Sequence, residues 1–281
     1  MDIEVMGVLD VQENGVSITP TAPKPRQLLA LLALRADRPV PVATLMEELW
    51  GSTPPRSART TLQTYVLQLR ELIERALGRG RGRPRVGARG SAKSILVTVP
   101  GGYLLDSGGG SSDVREFEEL TSAGYRAVDA GDFQGAVRQL KKALELWTGP
   151  PFADVPAGEH LYLEIRRLEE VRLCAIDQRI SAELRLGRHR DLLSELTVLV
   201  NRHPAHENFH AQYMLALHRS GRRVEALEVY QNLRAALVRD LGLEPSADLQ
   251  RIQRLILISG SDGSLVESVA GRSDSLVHSS C

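Results

Sequence analysis

Three glycines frame more than half of this chain. Gly131, Gly187 and Gly221 each follow a run of helix-forming residues and precede another, so each is read as closing a helix. Counted from them, apolar residues return at fixed offsets. Ala136/Val137, Leu192/Leu193 and Ala226/Leu227 stand at +5 and +6, Leu140, Leu196 and Tyr230 at +9, and Ala143, Leu199 and Leu233 at +12. Such spacing draws one apolar stripe along a helix three times over. The second and third copies lie 34 residues apart, the tetratricopeptide period, whereas the first and second lie 56 apart, which leaves room for an insertion of about 22 residues around Trp147-Thr-Gly-Pro-Pro-Phe152. Repeats of this kind bury their apolar faces only against neighbouring repeats. Residues 113–258 are therefore predicted to form an all-α, tetratricopeptide-like domain, followed by a Ser/Gly-rich tail, 259–281, predicted to be disordered.

The first hundred residues are patterned differently. Ile3 to Leu9 alternates weakly and is predicted to be a strand, paired with Val16–Thr19 through Glu13-Asn14-Gly15, a tight-turn sequence. Arg26 to Arg35 has strong helix formers with Pro25 at its start, and Pro39-Val-Pro41 ends it. Val42 to Trp50 is predicted to be a second helix, stopped at Gly51. After Ser52–Arg56 comes a long third helix. Leu62, Val66, Leu69, Ile73 and Leu77 form its apolar stripe, and Arg59, Thr60, Gln63, Thr64, Leu67, Arg70 and Glu71 its opposite face; Gly78 closes it. Ile95–Val99, Pro100-Gly-Gly102 and Tyr103–Leu105 read as strand, turn and strand. Ser107–Ser112 has the composition of a flexible linker. The expected organisation is thus a winged helix-turn-helix α+β domain at 1–106, a linker at 107–112, the helical-repeat domain at 113–258 and the tail: mainly α overall.

A net charge of zero conceals a local excess. Between residues 51 and 100 stand Arg56, Arg59, Arg70, Arg75, Arg79, Arg81, Arg83, Arg85, Arg89 and Lys93, ten cations against only Glu71 and Glu74, a local net of +8. A basic cluster in a neutral protein implies a polyanion as partner. No apolar run reaches the 18–20 residues of a membrane span, and the opening MDIEVMGVLD lacks both the basic start and the apolar core of a secretion signal. The chain reads as cytoplasmic, at the nucleoid when bound to DNA, with no membrane partner.

Strands, three helices and a terminal hairpin in that order describe a winged helix, whose third helix enters the major groove. There Arg59 suits guanine, Gln63 adenine, and Thr60, Thr61 and Thr64 base edges or phosphates. Arg56, at the helix start, and Arg70 are phosphate candidates. Lys93 and Ser94 precede the hairpin, the Gly101-Gly102 tip can approach a backbone closely, and Tyr103 follows it. Arg81 to Arg89 is read as an electrostatic aid or a minor-groove arm. The plainer reading, a surface helix with solvated Arg and Gln, is opposed by the surrounding element order and the basic bias.

Lys24-Pro-Arg26 with Leu28-Leu-Ala30, Leu49-Trp-Gly51, Pro54-Pro55, Leu62-Gln-Thr-Tyr-Val66, Leu69-Arg70 and Gly101-Gly-Tyr103 resemble the OmpR-type, phosphorelay-type DNA-binding domain of the Streptomyces antibiotic regulatory protein family. Gly131-Asp-Phe133, Ala143–Trp147, Gly149-Pro-Pro151, His203-Pro204, Met214–Leu217, Glu225-Ala-Leu227, Asp240-Leu-Gly242 and Glu244-Pro245 resemble that family's bacterial transcriptional activation domain. The resemblance implies an activator that binds direct repeats in double-stranded promoter DNA as a dimer. It also implies recruitment of RNA polymerase holoenzyme through its sigma factor and alpha subunit, and activation of an antibiotic biosynthesis cluster, without cofactor or catalysis. The Arg/Gly stretch 79–93 is longer than the family pattern leads one to expect between helix and wing.

Two enzyme-like motifs compete with this reading. His206-Glu-Asn-Phe-His210 matches HExxH, in which two imidazoles bind zinc and Glu207 would activate water. Its helix belongs to the repeat domain, where Phe209, Tyr213 and Leu217 are expected in the core, so a solvated helix start is the better account. Gly87-Ala-Arg-Gly-Ser-Ala-Lys-Ser94 misses a phosphate-binding loop by one residue, Ala92 replacing a required glycine, and it precedes a strand rather than a helix. A protein-interaction scaffold without DNA binding is the remaining alternative, and the basic segment argues against it.

Overall fold

The computed structural model describes residues 1–79 and 90–258. The readings of 80–89 as an electrostatic arm and of 259–281 as a disordered tail lie outside the described residues. Packing divides the chain into two compact units: residues 1–122 with 141–173, and residues 123–140 with those from 174 onward. This division differs from the sequence-based boundary at 107–112, because the start of the helical region and the Trp147–Phe152 insertion pack with the N-terminal elements.

In the first unit, β1 (Asp2–Glu4), β2 (Asp10–Glu13) and β3 (Val16–Ser17) form an antiparallel sheet in that order. The expected pairing of Ile3–Leu9 with Val16–Thr19 is corrected. Asn14 and Gly15 both have positive φ (53° and 75°), a two-residue turn that pairs its immediate flanks, so Glu13 lies opposite Val16 and β2 takes the central place. Val5–Gly7 is not strand. Its backbone is engaged by distant residues: Val5 and Met6 N–H donate to Asp113 Oδ2 (2.6 and 2.7 Å), while Thr148, Phe152 and Ala153 N–H donate to Met6, Val5 and Gly7 carbonyls (2.9, 2.9 and 2.8 Å).

α1 (Pro23–Leu34) starts about a turn earlier than expected, since prolines sit without cost in a first helical turn. Val40–Pro41, read from sequence only as a helix stop, is a short strand, β4. α2 (Val42–Trp50) has its expected bounds, and α3 (Ala58–Arg79) runs past Gly78 instead of closing there. α4 (Ala92–Ile95) is one short turn, so the hairpin's first strand, β5, begins at Leu96 and ends at Val99; β6 is Gly102–Leu105. The second sheet has the order β4-β6-β5. A Cβ at Gly102 would lie 2.3 Å from the Val40 carbonyl oxygen, so this crossing of strands tolerates only glycine.

The Ser107–Ser112 segment is not a free linker. Ser107 N–H and Oγ–H both donate to the Asp37 carboxylate (2.7 Å each), Ile3 N–H donates to the Ser111 carbonyl (3.0 Å), and Ile3 forms a parallel bridge to Ser112. Composition suggested freedom, but small side chains also let a strand edge approach closely.

The helical region comprises α5 (Asp113–Asp129), α6 (Phe133–Glu145), α7 (Glu159–Arg185), α8 (His189–Arg202), α9 (Glu207–Arg219), α10 (Arg223–Leu241) and α11 (Ala247–Ile258). The three framing glycines end α5, α7 and α9 with φ of 74°, 77° and 81°. Each carries the same bonds: the residue after the glycine donates to the carbonyl five back (Asp132 to Ala127, Arg188 to Glu183, Arg222 to Leu217), and the glycine to the carbonyl three back. This is a Schellman motif, repeated. The predicted stripe is inward: Ala136, Leu140, Leu192, Leu196, Ala226, Tyr230 and Leu233 are all buried.

Candidate nucleic-acid interface

α3 has two faces of opposite character. Ala58, Leu62, Val66, Leu69, Ile73 and Ala76 are at most 2% exposed, and all but Ala58 pack into the core shared with α1, α2 and the sheets. Burying a Leu- or Val-sized side chain contributes roughly 1.5–3 kcal/mol each, so this face holds the helix rigidly. Arg56, Arg59, Thr60, Gln63, Thr64 and Leu67 are exposed. Thr64 Oγ bonds only back to the Thr60 carbonyl (3.1 Å), and among the described residues Arg56, Arg59 and Gln63 have no side-chain partner. Successive turns of one solvent-facing edge thus present Arg59, Thr60, Gln63 and Thr64, with the Arg59 and Gln63 side chains open and the Thr64 hydroxyl donating to the Thr60 carbonyl. Leu67 continues the row as an exposed apolar group.

The remaining residues singled out by sequence are placed differently. Arg70 is half-buried and forks onto the wing: Nε and Nη2 donate to the Leu96 carbonyl (3.1 and 2.7 Å) and Nη2 to Thr98 Oγ (2.8 Å). Its fork ties α3 to β5 instead of standing free. Thr61 is half-buried, its N–H bonded to the Ser57 carbonyl. Tyr103 is 8% exposed, in β6 between β4 and β5. Lys93 and Ser94 are exposed on α4, with Ser94 Oγ donating to the Ser91 carbonyl (2.7 Å). Gly101 is exposed at the tip of the β5–β6 hairpin, its carbonyl accepting from Val42 N–H (2.9 Å). The tip is therefore fixed to the start of α2, and Glu74 Oε1, accepting from Ala92 N–H (2.8 Å), fixes α4 to α3. Helix and wing form one framed surface.

Sequence reasoning missed Glu48. It is 2% exposed, and its carboxylate accepts from Gly158 N–H (2.6 Å), His160 N–H (2.9 Å) and Leu161 N–H (3.1 Å), as well as from Gln27 Nε2 (3.0 Å). An acid on α2 thereby satisfies the orphan amides at the start of α7. The resembling Lys24-Pro-Arg26 motif has structural roles as well. Lys24 Nζ donates to the Leu49 carbonyl, and Arg26 bonds the Pro20 carbonyl and pairs with Asp154.

The HExxH residues do not converge. His206 precedes α9 as its N-cap and stacks on Phe209 (4.0 Å between ring centres), His210 Nε2 lies 3.1 Å from the Pro204 carbonyl, and Glu207 accepts from Ser246 N–H (2.8 Å). Among the described residues, no three His, Cys, Asp or Glu side chains are grouped to hold a metal. Of the near phosphate loop, only Gly90–Ser94 is described. It leads into a four-residue turn and then β5.

A buried-backed helix with an open polar edge, framed by a hairpin wing and followed by helical repeats, defines a winged-helix DNA-binding transcriptional regulator. Residues 112–257 match the bacterial transcriptional activator domain, and residues 16–81 match the C-terminal domain of transcriptional regulatory proteins. The regulatory protein DnrI of Streptomyces peucetius is 50% identical over 257 residues, 92% of each chain. The transcriptional regulator RedD of Streptomyces coelicolor is 34% identical over 92% of this chain and 70% of its own, and AfsR of the same species 35% identical over 90% of this chain but 24% of its own. The solved structure of Mycobacterium tuberculosis EmbR in complex with a low affinity phosphopeptide superposes with a TM-score of 0.81 at 30% identity, over 92% of this chain and 65% of that one. The chain belongs to the Streptomyces antibiotic regulatory protein family of transcriptional regulators.

Proposed function

We propose that this protein activates transcription of an antibiotic biosynthesis cluster by binding direct repeats upstream of its promoters. Two copies sit side by side on the DNA, and residues 113–258 recruit RNA polymerase holoenzyme through its sigma factor and alpha subunit. The observation that carries the DNA reading is the open edge of α3. Arg59, Thr60, Gln63 and Thr64 are solvent-facing on a helix whose other face is locked in the core. Polar groups held on a rigid helix and, as at Arg59 and Gln63, left unpaired among the described residues are preorganised for base edges. Arg56 at the start of α3, Lys93 and Ser94 on α4 and the Gly101 tip flank that edge and take phosphates. Arg70 serves the interface by holding helix and wing in register through its bonds to Leu96 and Thr98, while the half-buried Thr61 and the buried Tyr103 stand behind the surface. Among the described residues no helix is long and apolar enough to cross a membrane, which accords with a cytoplasmic regulator. The family relatives named regulatory proteins support the activator reading and a non-catalytic role.

The test is a footprint of the full chain on promoters of the host's own clusters. Two adjacent protected repeats, bound with roughly nanomolar affinity that falls steeply with salt, are expected. Sequence-blind protection would defeat the proposal.

A further inference from the structure

A cleft of about 840 Å³ opens in the first unit where the turn after α1, the Ser107–Ser112 segment and the N-terminal parts of α5 and α7 meet. That volume suits a small organic ligand. The cleft has charged walls that do not balance. Glu118 and Glu164 both pair with Arg167 (3.0 and 2.8 Å), and Asp37 pairs with Arg115 (3.3 Å) while accepting two further bonds from Ser107. Every acid lining the cleft is therefore engaged. Arg35 and Arg38 remain, and among the described residues neither has a counter-charge or hydrogen-bond acceptor. Arg35 is half-buried, a position where a guanidinium loses hydration without recovering it from a partner. Asp37 between them is held at φ 67°, a conformation that non-glycine residues adopt rarely and that collects at binding sites. The apolar part of the lining is the half-buried Leu34 and Val114, backed by the buried Ile3 and Val5.

We infer that this cleft is a ligand site for a small organic anion with an apolar body, its carboxylate or phosphate head held by Arg35 and Arg38 and its body against Leu34 and Val114. Two guanidiniums supply forked donors of the geometry that oxyanions accept. The lining comes from segments distant in the chain, so occupancy clamps the turn after α1 to the Ser107–Ser112 segment and to α5. A ligand that binds only this folded arrangement stabilises it by mass action. The site uses none of the residues assigned to DNA contact, so the inference stands apart from that reading.

The test titrates the full chain with 2-naphthoate, with neutral 2-naphthamide and inorganic phosphate as comparison arms, by calorimetry and thermal unfolding. The expected result is one saturable 2-naphthoate site that raises the melting temperature, with both comparison compounds at least tenfold weaker. An Arg35→Ala/Arg38→Ala variant with unchanged unliganded melting temperature should bind 2-naphthoate at least tenfold more weakly. In the unaltered chain, 2-naphthoate should protect Arg35 and Arg38 from phenylglyoxal, read by peptide mapping. The inference is overturned by absence of saturable binding, by phosphate or the amide binding as tightly as the acid, or by binding that ignores the double substitution and leaves both arginines reactive.

Discussion

α3 and the pair α7–α9 both carry polar residues in long amphipathic helices, yet they treat them oppositely. On α3 the polar groups face solvent and Arg59 and Gln63 bond to nothing within the fold. In the second unit they face inward and bond to one another. Gln212 Nε2 donates to the Asp177 carbonyl and carboxylate (3.0 and 2.8 Å) and to Ser181 Oγ (2.9 Å), and Arg179 bonds Glu183 (2.8 Å) and Glu195. Buried polar networks specify how helices pack and use most of their bonding capacity inside the fold, although Gln212 Oε1 has no partner among the described residues. Open polar groups on a rigid helix contribute nothing to the fold and keep their full capacity for a ligand. Partner accounting, more than residue type, separates the interface from the scaffold.

The sharpest way to break that contrast is Glu48, a scaffold acid. Glu48→Ala orphans three amides at the start of α7, two part-buried and one buried, and should cost about 3–5 kcal/mol of stability, measured by denaturant unfolding. A loss below 1 kcal/mol would show that water replaces the carboxylate.

Asp177 tests the second unit. Burial pushes its carboxyl up to about 6 from the ordinary 3.8, only partly offset by the bond from Gln212. The folded state therefore holds that proton more tightly than the unfolded chain. Its stabilising contribution is complete below about pH 4 and is lost as pH rises through 6. At pH 7.5 the ionised group costs about 3 kcal/mol by the size of that shift. Asp177→Asn should recover most of this at pH 7.5 and nothing at pH 3.5; equal effects at both would refute the assignment.

On α3 the expectation reverses. Arg59→Ala or Gln63→Ala should leave the melting temperature unchanged while removing about 1–3 kcal/mol of discrimination against altered base pairs, read by competition mobility shifts. Arg70→Ala stands between the two classes. It should lose about 1–2 kcal/mol of stability and weaken binding to all sequences alike, since it frees the wing without touching a base. Relaxed specificity at a single base pair would instead make it a reader.

Much of this architecture is local and so was readable from residues. Helix periodicity, the turn at Asn14-Gly15, the stop at Gly51 and the closing glycines depend on interactions within a few positions. The polar edge of α3 was likewise readable, because a 3.6-residue period sorts Arg59, Thr60, Gln63 and Thr64 away from Leu62, Val66 and Leu69. Which of those polar residues stay free was not. Arg70 shares the period of the readers, and only the approach of β5 engages it.

What the sequence determined by itself was the order of the three N-terminal helices and the hairpin, the repeat and the basic excess that names a polyanion as partner. Tertiary structure alone decided that β2 separates β1 from β3, that the Ser107–Ser112 segment is pinned to Asp37 and Ile3, and that the Trp147–Phe152 insertion covers Val5–Gly7. The same holds for Glu48 at the start of α7. Apart from the β1-β2-β3 order, which pairs near neighbours, these rest on hydrogen bonds between residues far apart in the chain, Val5 to Asp113 and Gly158 to Glu48 among them. Such bonds follow from which surfaces meet after the apolar stripes are buried, and no local spacing encodes them.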